Sequence, residues 1–398
     1  MTLTARNDVL TRGVKEIIVE KEFIQRLDSG KPMRLKMGFD PSAPDIHVGH
    51  TVGLRKLRQL QELGHKVILI VGDWTAQIGD PSGRSQTRKM LSVEEVNSNA
   101  QTYLDQFFKI VDREQTEIRR QSEWFGPFTL SNVIELTRKF TVAQILARDD
   151  FAKRYAENQP IAITELLYPL LQAYDSVAIK SDVEFGGTDQ RFNLLVGREL
   201  QQSEGMSPQQ CFIMPLLLGT DGIQKMSKSL GNYIGIAEPP NEIFGKVMSI
   251  PDTLIVPYYE WLTDTPTSEI EEIKSELSSA SSNPMELKKK VAQILVEDYY
   301  DAEASLAASA FFERTVQGRE VPDKVTEFRI PVGKDSKEIR LSNILLRSGM
   351  TKSAGEARRL INQGAVRLDE TPITENVEAN LLRPGILRIG KRRYLRLL

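Results

Sequence analysis

Residues 38–50 of this chain read GFDPSAPDIHVGH, and this stretch decides the fold. Residues 35–39, which overlap the beginning of this stretch, carry an apolar side chain at every second position, and this pattern predicts a β-strand. After it, residues 51–63 carry apolar side chains at helical spacing, which predicts an α-helix. Two of the three histidines of the chain, His47 and His50, therefore stand where a strand passes into a helix.

A strand-to-helix turn of this kind can bind phosphate. The first N–H groups of a helix have no partner within the helix, and its dipole favours negative charge there. Gly49, between the two imidazoles, lets the backbone approach a ligand closely. The turn therefore predicts a nucleotide site, although a four-residue H-x-G-H can also arise by chance.

A second motif, KMSKS at residues 225–229, follows the strand-like residues 212–218 and has three glycines close by. This composition predicts a mobile, polar loop. Lys225 and Lys228 on such a loop can close over a polyphosphate. A lysine pair in a loop is commonly solvated charge, so the argument rests on the joint occurrence of the two motifs.

HVGH at residues 47–50 and KMSKS at residues 225–229 resemble the two signatures of the class I aminoacyl-tRNA synthetases. The resemblance implies an α/β fold with a Rossmann-like, doubly wound parallel sheet over residues 1–235, with a connective or dimer insertion at about residues 128–160. It also implies ATP as a substrate together with Mg²⁺, and no protein-bound metal. Catalytic roles fall on His47, His50, Lys225 and Lys228, and Gly49 joins them in binding ATP.

Composition agrees with a large enzyme. The 398 residues, 27% charged and 40% hydrophobic, predict two or three domains with an ample core. The one cysteine, Cys211, excludes an intramolecular disulfide and argues against a structural zinc site. The longest compact apolar run, residues 67–71, is only strand-sized, and the first ten residues do not resemble a signal peptide. We expect no membrane segment and a cytoplasmic location.

The C-terminal segment is basic. Residues 338–398 contain 12 Lys and Arg against 6 Asp and Glu, although the whole chain has a net charge of −2. A polyanion-binding role is expected, and a merely solubilising face is the alternative. A helix over residues 341–347, a capping-box spacing at residues 353–356 and β-like runs at residues 365–368 and 386–398 complete the pattern.

This pattern resembles the small α+β RNA-binding domain named after ribosomal small-subunit protein four, the S4 domain. The expected RNA-binding residues are Arg347, Lys352, Arg358 and Arg359. Residues 236–320 are rich in helix formers and are expected to form a helical anticodon-recognition domain. An irregular linker over residues 321–337 would then join it to the S4-like domain at residues 338–398.

The amino-acid pocket is indicated by residues 168–175 and by GGTDQ at residues 186–190. On a helix, Tyr168, Gln172 and Asp175 share one face, so three polar groups can converge on one ligand. These segments resemble the pocket of the bacterial tyrosyl-tRNA synthetase family. An exposed helix face with isolated polar residues is the alternative reading.

By this resemblance, Asp175 accepts the phenolic hydroxyl of L-tyrosine. The α-ammonium end meets Tyr168, Gln172 and Asp80. In the GGTDQ turn, Asp189 contacts the ribose of ATP and Gln190 contacts the substrate.

Two further expectations concern single positions. Arg84 and Arg88, in a Gly/Ser-rich loop, stand where mobile cations approach the pyrophosphate in the family, but they can equally be solvated charges. Lys36 departs from the family pattern, because well-known members carry there a tyrosine that contacts the phenol. Lys36 either pairs with Asp175 or another pocket carboxylate, or it points away from the site.

The resemblance also implies tRNA(Tyr) as a partner and a homodimer. Three other functions remain open: a tryptophanyl enzyme, a small-metabolite nucleotidyltransferase sharing H-x-G-H, and a non-catalytic RNA-binding paralogue. The GGTDQ turn counts against the first, KMSKS against the second, and the intact histidines and lysines against the third. A second RNA-binding role is left open as well.

Overall fold

The computed structural model describes residues 3–41, 45–82, 92–279, 281–317, 325–330, 339–369, 371–390 and 393–398. Two compact units divide the chain at residue 305. The first unit is built on a six-stranded sheet whose spatial order is β1-β6-β5-β2-β3-β4. Its strands are β1 Glu16–Ile18, β2 Arg34–Phe39, β3 Lys66–Val71, β4 Thr116–Arg120, β5 Val183–Gly187 and β6 Gln210–Met214.

Five of these strands, β2 to β6, run parallel, and β1 pairs antiparallel with β6 at one edge. Along the chain, pairing runs from β2 to β3 and β4 in one direction, and from β5 to β6 in the other. The order therefore reverses between β2 and β5, and a crevice opens beyond the carboxyl ends of strands at such a switch point. The expected doubly wound parallel sheet is confirmed.

Helices cover both faces of the sheet, so its central strands read as continuous apolar runs: residues 67–71 of β3 are all buried. The helices up to the insertion are α1 Leu3–Thr11, α2 Glu20–Asp28, α3 Val48–Glu62, α4 Thr75–Ile78, α5 Val93–Phe107 and α6 Ser122–Phe125. Next come α7 Leu130–Thr137, α8 Val142–Leu146, α9 Asp149–Ala156, α10 Ile163–Ala178 and α11 Arg191–Ser203. The helical segment adds α12 Pro240–Val247, α13 Ile255–Leu262, α14 Thr267–Ser278 and α15 Pro284–Tyr299, and α16 Ala302–Phe312 crosses the division between the units.

Two boundaries differ from the expected ones. Helix α3 begins at Val48 and not at residue 51, because His47 caps it. Strand β6 ends at Met214, although the apolar run continues to residue 218. Pro215 follows, and proline cannot donate a ladder hydrogen bond, so the strand stops there. No helix in the described part of the chain is long and apolar enough to cross a bilayer.

The second unit contains a five-stranded sheet of order β7-β11-β10-β8-β9, with α17 Leu341–Arg347 and α18 Ala354–Asn362. Its strands are β7 Thr326–Phe328, β8 Val366–Leu368, β9 Thr371–Ile373, β10 Gly385–Ile389 and β11 Arg393–Leu397. The run at residues 386–398, expected to be β-like, is divided into the antiparallel strands β10 and β11. The helix-helix-strand pattern is otherwise confirmed.

Helix α18 begins at the expected capping signal, but only half of a capping box forms. The Ser353 hydroxyl accepts the backbone N–H of Glu356 at 3.1 Å. The Glu356 carboxylate instead accepts the backbone N–H of Lys352 at 2.8 Å. The expected irregular linker, residues 321–337, lies mostly outside the described residues, and the part that is described is not irregular throughout, because it contains strand β7, which pairs with β11.

Candidate active site

A cavity of about 360 Å³ lies at the carboxyl ends of β2 and β5, at the switch point of the sheet. Strand ends, the start of α3 and one face of α10 form its walls. Nearly all the predicted site residues of the first unit that are described line this one cavity: His47, Gly49, His50, Asp80, Tyr168, Gln172, Asp175, Asp189, Gln190 and Lys225. The parallel fold therefore gathers side chains that are up to 178 positions apart in the sequence.

The two histidines cap their own helix. The Nδ1 atom of His47 accepts the backbone N–H of Gly49 at 3.2 Å, and the Nδ1 atom of His50 accepts the backbone N–H of His47 at 3.2 Å. Their rings lie 3.9 Å apart between centroids. Because each Nδ1 atom is an acceptor, the proton of each neutral ring sits on Nε2. Each histidine thus offers one N–H donor at the helix start.

Both imidazoles are held neutral. Burial lowers the pKa of His50 to about 4, with Lys228 acting in the same direction. Burial lowers the pKa of His47 further still, and His50, Lys228 and Lys225 add to this effect. At neutral pH the pair supplies hydrogen-bond donors without net charge, so positive charge for a polyphosphate must come from elsewhere.

The KMSKS motif supplies that charge. The ammonium group of Lys225 pairs with Asp189 at 2.9 Å, and that of Lys228 donates to the backbone carbonyl of Asp45, two residues before His47. The loop is not polar throughout as expected: Met226 is buried and its N–H donates to the Leu217 carbonyl at 2.9 Å. An apolar anchor between the lysines thus fixes where both cations lie.

Helix α10 presents Tyr168, whose hydroxyl donates to Asp40 at 2.8 Å. Thr75 donates to the other oxygen of Asp40 at 2.6 Å. Burial, together with Asp40 and Asp80, raises the pKa of Tyr168, so the phenol stays protonated. Because its proton is committed to Asp40, Tyr168 can only accept from a ligand.

Asp175, on the same face, is buried and has both carboxylate oxygens fixed. Trp124 donates its indole N–H to one oxygen at 3.1 Å, and Gln121 donates its amide to the other at 2.9 Å. Burial raises the pKa of Asp175 to about 7, although Lys36 and both donors lower it. Sequence reasoning missed Gln121 and Trp124, because no local pattern ties them to α10.

Asp80 stands at the other side of the cavity. Gln190 donates its amide to Asp80 at 2.7 Å, and the backbone N–H of Ser82 donates at 2.8 Å. Arg148 from the insertion lies 3.6 Å from Asp80 and donates to the Ser82 hydroxyl at 2.5 Å. Arg148 is buried and was also missed, since a lone arginine between short helices gives no sequence signal.

Lys36 does not line the cavity. Its ammonium group pairs with Glu184 at 2.9 Å, and both side chains are fully buried. Neither of the two readings left open by the sequence is fully correct: Lys36 does pair with a carboxylate, but Glu184, like Lys36, is not among the residues that line the cavity. Arg84 and Arg88 lie outside the described residues.

The predicted RNA-binding residues lie in the second unit. Arg347 is in the last turn of α17, Lys352 precedes α18, and Arg358 and Arg359 are on α18. All four are exposed. They are thus available to a large ligand.

Binding of a phenol donor at Asp175 is predicted to weaken in acid. The ionised carboxylate can accept a phenol O–H, whereas the protonated form cannot accept at both oxygens. With a pKa of about 7, we expect the affinity for such a ligand to fall as pH drops through 7 and to be fully present above it. His50, with a pKa of about 4, adds no pH dependence between pH 5 and 8. The pH profile of phenol binding checks this, and a flat profile from pH 6 to 8 would contradict it.

A doubly wound sheet whose switch-point cavity joins a histidine-capped helix to a KMSKS loop defines a class I aminoacyl-tRNA synthetase. In agreement, residues 28–317 match the family model described as tRNA synthetases class I (W and Y), and residues 339–378 match the S4 domain.

The relatives point to one member of that class. A tyrosine–tRNA ligase of Dehalococcoides mccartyi (strain CBDB1) is 58% identical over 388 residues, which are 98% of this chain and 97% of the relative. That of Thermotoga maritima is 47% identical over 399 residues, covering 100% of this chain and 98% of the relative. The chain belongs to the tyrosine–tRNA ligase family.

Solved structures agree at the level of the fold. The tyrosyl-tRNA synthetase of Archaeoglobus fulgidus, complexed with L-tyrosine, has a TM-score of 0.63 and 25% identity, over 76% of this chain and 99% of that chain. A C-terminally truncated mitochondrial tyrosyl-tRNA synthetase of Aspergillus nidulans has a TM-score of 0.65 and 21% identity, over 79% and 94% of the two chains.

Proposed function

We propose that this chain activates L-tyrosine with ATP to form tyrosyl-adenylate and pyrophosphate, then transfers the tyrosyl group to the 3′-terminal adenosine of tRNA(Tyr). One observation carries this proposal: a buried carboxylate, Asp175, lies in the same cavity as the histidine pair and Lys225. A phenol donor and a polyphosphate can therefore be held together.

The chemistry needs no nucleophile from the protein. A carboxylate oxygen of tyrosine forms a bond to the α-phosphorus of ATP, and the bond from that phosphorus to the bridging oxygen breaks to release pyrophosphate. Catalysis then rests on positioning and on stabilising the charge that builds on phosphate oxygens. The Nε2–H groups of His47 and His50 would donate to those oxygens. Mg²⁺ would arrive bound to the ATP.

The lysines would change partners when ATP enters. Lys225 pairs with Asp189 in the structure, and a β- or γ-phosphate offers it a stronger negative charge. Its departure would free the Asp189 carboxylate to accept the ribose hydroxyls. Lys228, already beside the start of α3, would take the remaining phosphate charge.

The other end of tyrosine would meet three acceptors. Asp80 offers its carboxylate, Tyr168 its hydroxyl oxygen, and Gln172 its amide oxygen, and all line the cavity. Since Gln190 donates to Asp80, it would hold that carboxylate towards the ammonium group.

Amino-acid-dependent ATP–pyrophosphate exchange, measured without tRNA across the twenty amino acids, tests the proposal. Exchange with tyrosine alone is the expected result. Exchange with tryptophan would keep the class and overturn the pocket assignment. No exchange with any amino acid would favour a non-catalytic RNA-binding protein.

We propose that the helical segment at residues 236–320 recognises the anticodon and that the S4 unit binds the long variable arm of tRNA. We also propose a cytoplasmic location, which the expected tRNA partner supports. For the S4 unit, the supporting feature is the exposed pair Arg358 and Arg359 on α18. Such contacts act mainly on phosphates and depend on salt.

The variant Arg358→Glu/Arg359→Glu is predicted to raise the KM for tRNA by roughly tenfold or more at moderate salt, because two phosphate contacts become repulsive. Tyrosine activation is expected to stay within about twofold, since neither arginine is among the residues that line the cavity. Lys31→Glu, an exposed charge reversal preceding β2, is the control. Equal losses in exchange and in tRNA charging would contradict the prediction.

A homodimer is proposed as well. The segment around the insertion exposes large apolar side chains: Leu130 is 75% exposed, Val142 64%, Tyr155 67% and Ile163 79%. Apolar side chains at this density favour a protein partner over water.

Leu130→Asp/Val142→Asp is predicted to convert a dimer into a monomer, because two charges would be buried in the interface. Sedimentation equilibrium of the full chain checks this. Val93→Asp, at a 54% exposed apolar residue on α5, should leave the mass unchanged. A wild-type monomer, or a dimer unaffected by the double substitution, would contradict the prediction.

A further inference from the structure

Behind the cavity lies a second, fully buried group of polar side chains centred on Lys36 and Glu184, which we call the Lys36–Glu184 pair. Lys36 is on β2 and Glu184 on β5, and the two residues are direct partners in the register of these strands. The pair therefore sits at the switch point of the sheet. Lys36 lies two residues before Gly38 and on the same face of β2, and Gly38 lines the cavity.

Lys36 has a partner for each of its three donors. Its ammonium group contacts the Glu184 carboxylate at 2.9 Å, the backbone carbonyl of Gln172 at 2.8 Å and the hydroxyl of Ser176 at 2.8 Å. Gln172 and Ser176 are successive turns of α10, the helix that carries the tyrosine pocket. The pair thus ties α10 to the sheet at the level of the site.

Glu184 is equally well satisfied. One carboxylate oxygen meets Lys36 and also accepts the side-chain amide of Gln172 at 3.2 Å. The other accepts the hydroxyl of Ser176 at 3.2 Å and the amide of Gln209 at 2.5 Å. A buried carboxylate with four donors is held in one position.

Room for this cluster comes from Gly197, in the middle of α11. A Cβ atom there would lie 2.7 Å from the amide nitrogen of Gln209, 3.2 Å from Glu184 and 3.3 Å from Ser176. A glycine inside a helix weakens that helix. Local stability is thus given up to admit a polar cluster at this place.

The cluster reaches the cavity through Gln172. Its side chain lines the cavity, yet its amide N–H is donated backwards to Glu184. Only one orientation of the amide satisfies Glu184, and it leaves the amide oxygen as the group available to a ligand. An ammonium group can bind that oxygen, whereas a flipped amide would present N–H donors and repel it.

We propose that the Lys36–Glu184 pair is a positioning device for the α-ammonium group of tyrosine: Glu184 fixes the amide oxygen of Gln172 towards the ammonium, and Lys36 holds Glu184 in place. This inference rests on the proposed function of the cavity. A buried ion pair by itself is weak evidence for a stability role, because apolar side chains of similar size often replace one without loss.

Two competitive inhibitors separate this role from a general structural one. Tyramine carries the phenol and the ammonium group but no carboxylate, and 3-(4-hydroxyphenyl)propionate carries the phenol and the carboxylate but no ammonium group. Both are measured against tyrosine in pyrophosphate exchange with the full chain. Lys36→Met/Glu184→Met replaces the ion pair by apolar side chains and removes the acceptor of the Gln172 amide.

In this double variant we expect the Ki of tyramine to rise by about tenfold, the effect of one hydrogen bond to a charged group. The Ki of 3-(4-hydroxyphenyl)propionate should stay within about twofold, because that ligand does not use Gln172 in this way. Lys36→Met/Glu184→Leu also removes both charges together, so that neither is left buried without its partner, and it should show the same selectivity. It serves if the first double variant is not recovered folded.

Two further variants sharpen the test. Glu184→Gln keeps an oxygen that can accept the Gln172 amide, and it should restore tyramine binding to within about threefold of wild type. Lys56→Met removes another buried ammonium group, which donates to the carbonyls of Asp8 and Val9 at 3.0 Å. It should change neither Ki, whatever it does to the thermal midpoint.

Equal changes in both inhibition constants, or none in either, would overturn the positioning role. Failure of Glu184→Gln to restore tyramine binding would also overturn it. A wild-type protein without tyrosine-dependent exchange would instead overturn the proposed function, and this inference with it.

Discussion

Replacing Asp175 by asparagine is expected to lower kcat/KM for tyrosine by about 10²- to 10³-fold, the equivalent of roughly 3–4 kcal/mol. Part of the loss is the hydrogen bond from the substrate phenol to an ionised acceptor. The rest is internal: Trp124 and Gln121 both donate to Asp175, so an asparagine amide must place its own N–H group against one of them. The variant would therefore misplace the acceptor as well as neutralise it.

Selectivity should fall together with activity. Phenylalanine in the wild-type cavity leaves the Asp175 carboxylate with only the donors from Trp124 and Gln121, and burying a charge without the third hydrogen bond that tyrosine supplies is costly. An amide in its place is penalised less, so the ratio of kcat/KM for tyrosine over phenylalanine should shrink in Asp175→Asn. Pyrophosphate exchange with each amino acid gives this ratio directly.

Two controls belong to this prediction. The KM for ATP should stay within about twofold, because Asp175 lies on the α10 wall of the cavity and not at the start of α3. Asp105→Asn, an exposed position on α5, should leave the ratio of kcat/KM for tyrosine over phenylalanine unchanged. A parallel rise in the KM for ATP, or an unchanged preference for tyrosine, would show that the phenol binds elsewhere.

The features that could be predicted from the sequence are those with short-range patterns. His47 and His50 are three residues apart at a helix start, and Tyr168, Gln172 and Asp175 repeat at helical spacing. Fold class followed from the two motifs and the resemblance they carry. Each of these patterns lies within a single turn or helix, and the structure brings the residues of both patterns into one cavity.

The residues that support the site could not be predicted, because their partners are distant in sequence. Gln121 and Trp124 meet Asp175 across more than 50 positions. Arg148 reaches Asp80 only because the insertion folds back over α11 and the Asp80 turn. Nothing local marks such residues, and only the tertiary fold assigns them a role.

Lys36 shows the same limit in another form. Side chains alternate along β2, so Lys36 lies on the face of the strand opposite to its apolar neighbours. In a strand with one face exposed, that face would contact solvent. In a parallel sheet covered on both faces, that position is interior, and a buried lysine then requires a partner. Glu184 supplies it from the neighbouring strand, but the pairing of β2 with β5 is not visible in the sequence.

Replacing His50 by alanine is expected to lower kcat for pyrophosphate exchange by about 10²- to 10³-fold, the usual effect of losing one donor to developing negative charge. The KM for tyrosine should change by less than about threefold, because His50 stands at the start of α3 and not on the tyrosine wall. The two effects together would identify an interaction made mainly in the transition state.

The same substitution also removes part of the helix cap, because the Nδ1 atom of His50 accepts the N–H of His47. That loss should cost about 0.5–2 kcal/mol of stability, visible as a lower thermal midpoint.

His50→Gln separates the effect on catalysis from the effect on the helix cap. Glutamine three residues after the N-cap can still accept that N–H, and its amide still carries a donor. We therefore expect His50→Gln to recover the thermal midpoint fully. It should recover kcat only in part, since the amide N–H of glutamine does not occupy the position of the histidine Nε2–H. If His50→Gln recovers stability and His50→Ala has already kept wild-type kcat, the histidine serves the helix cap alone and the phosphate must be stabilised by Lys225 and Lys228.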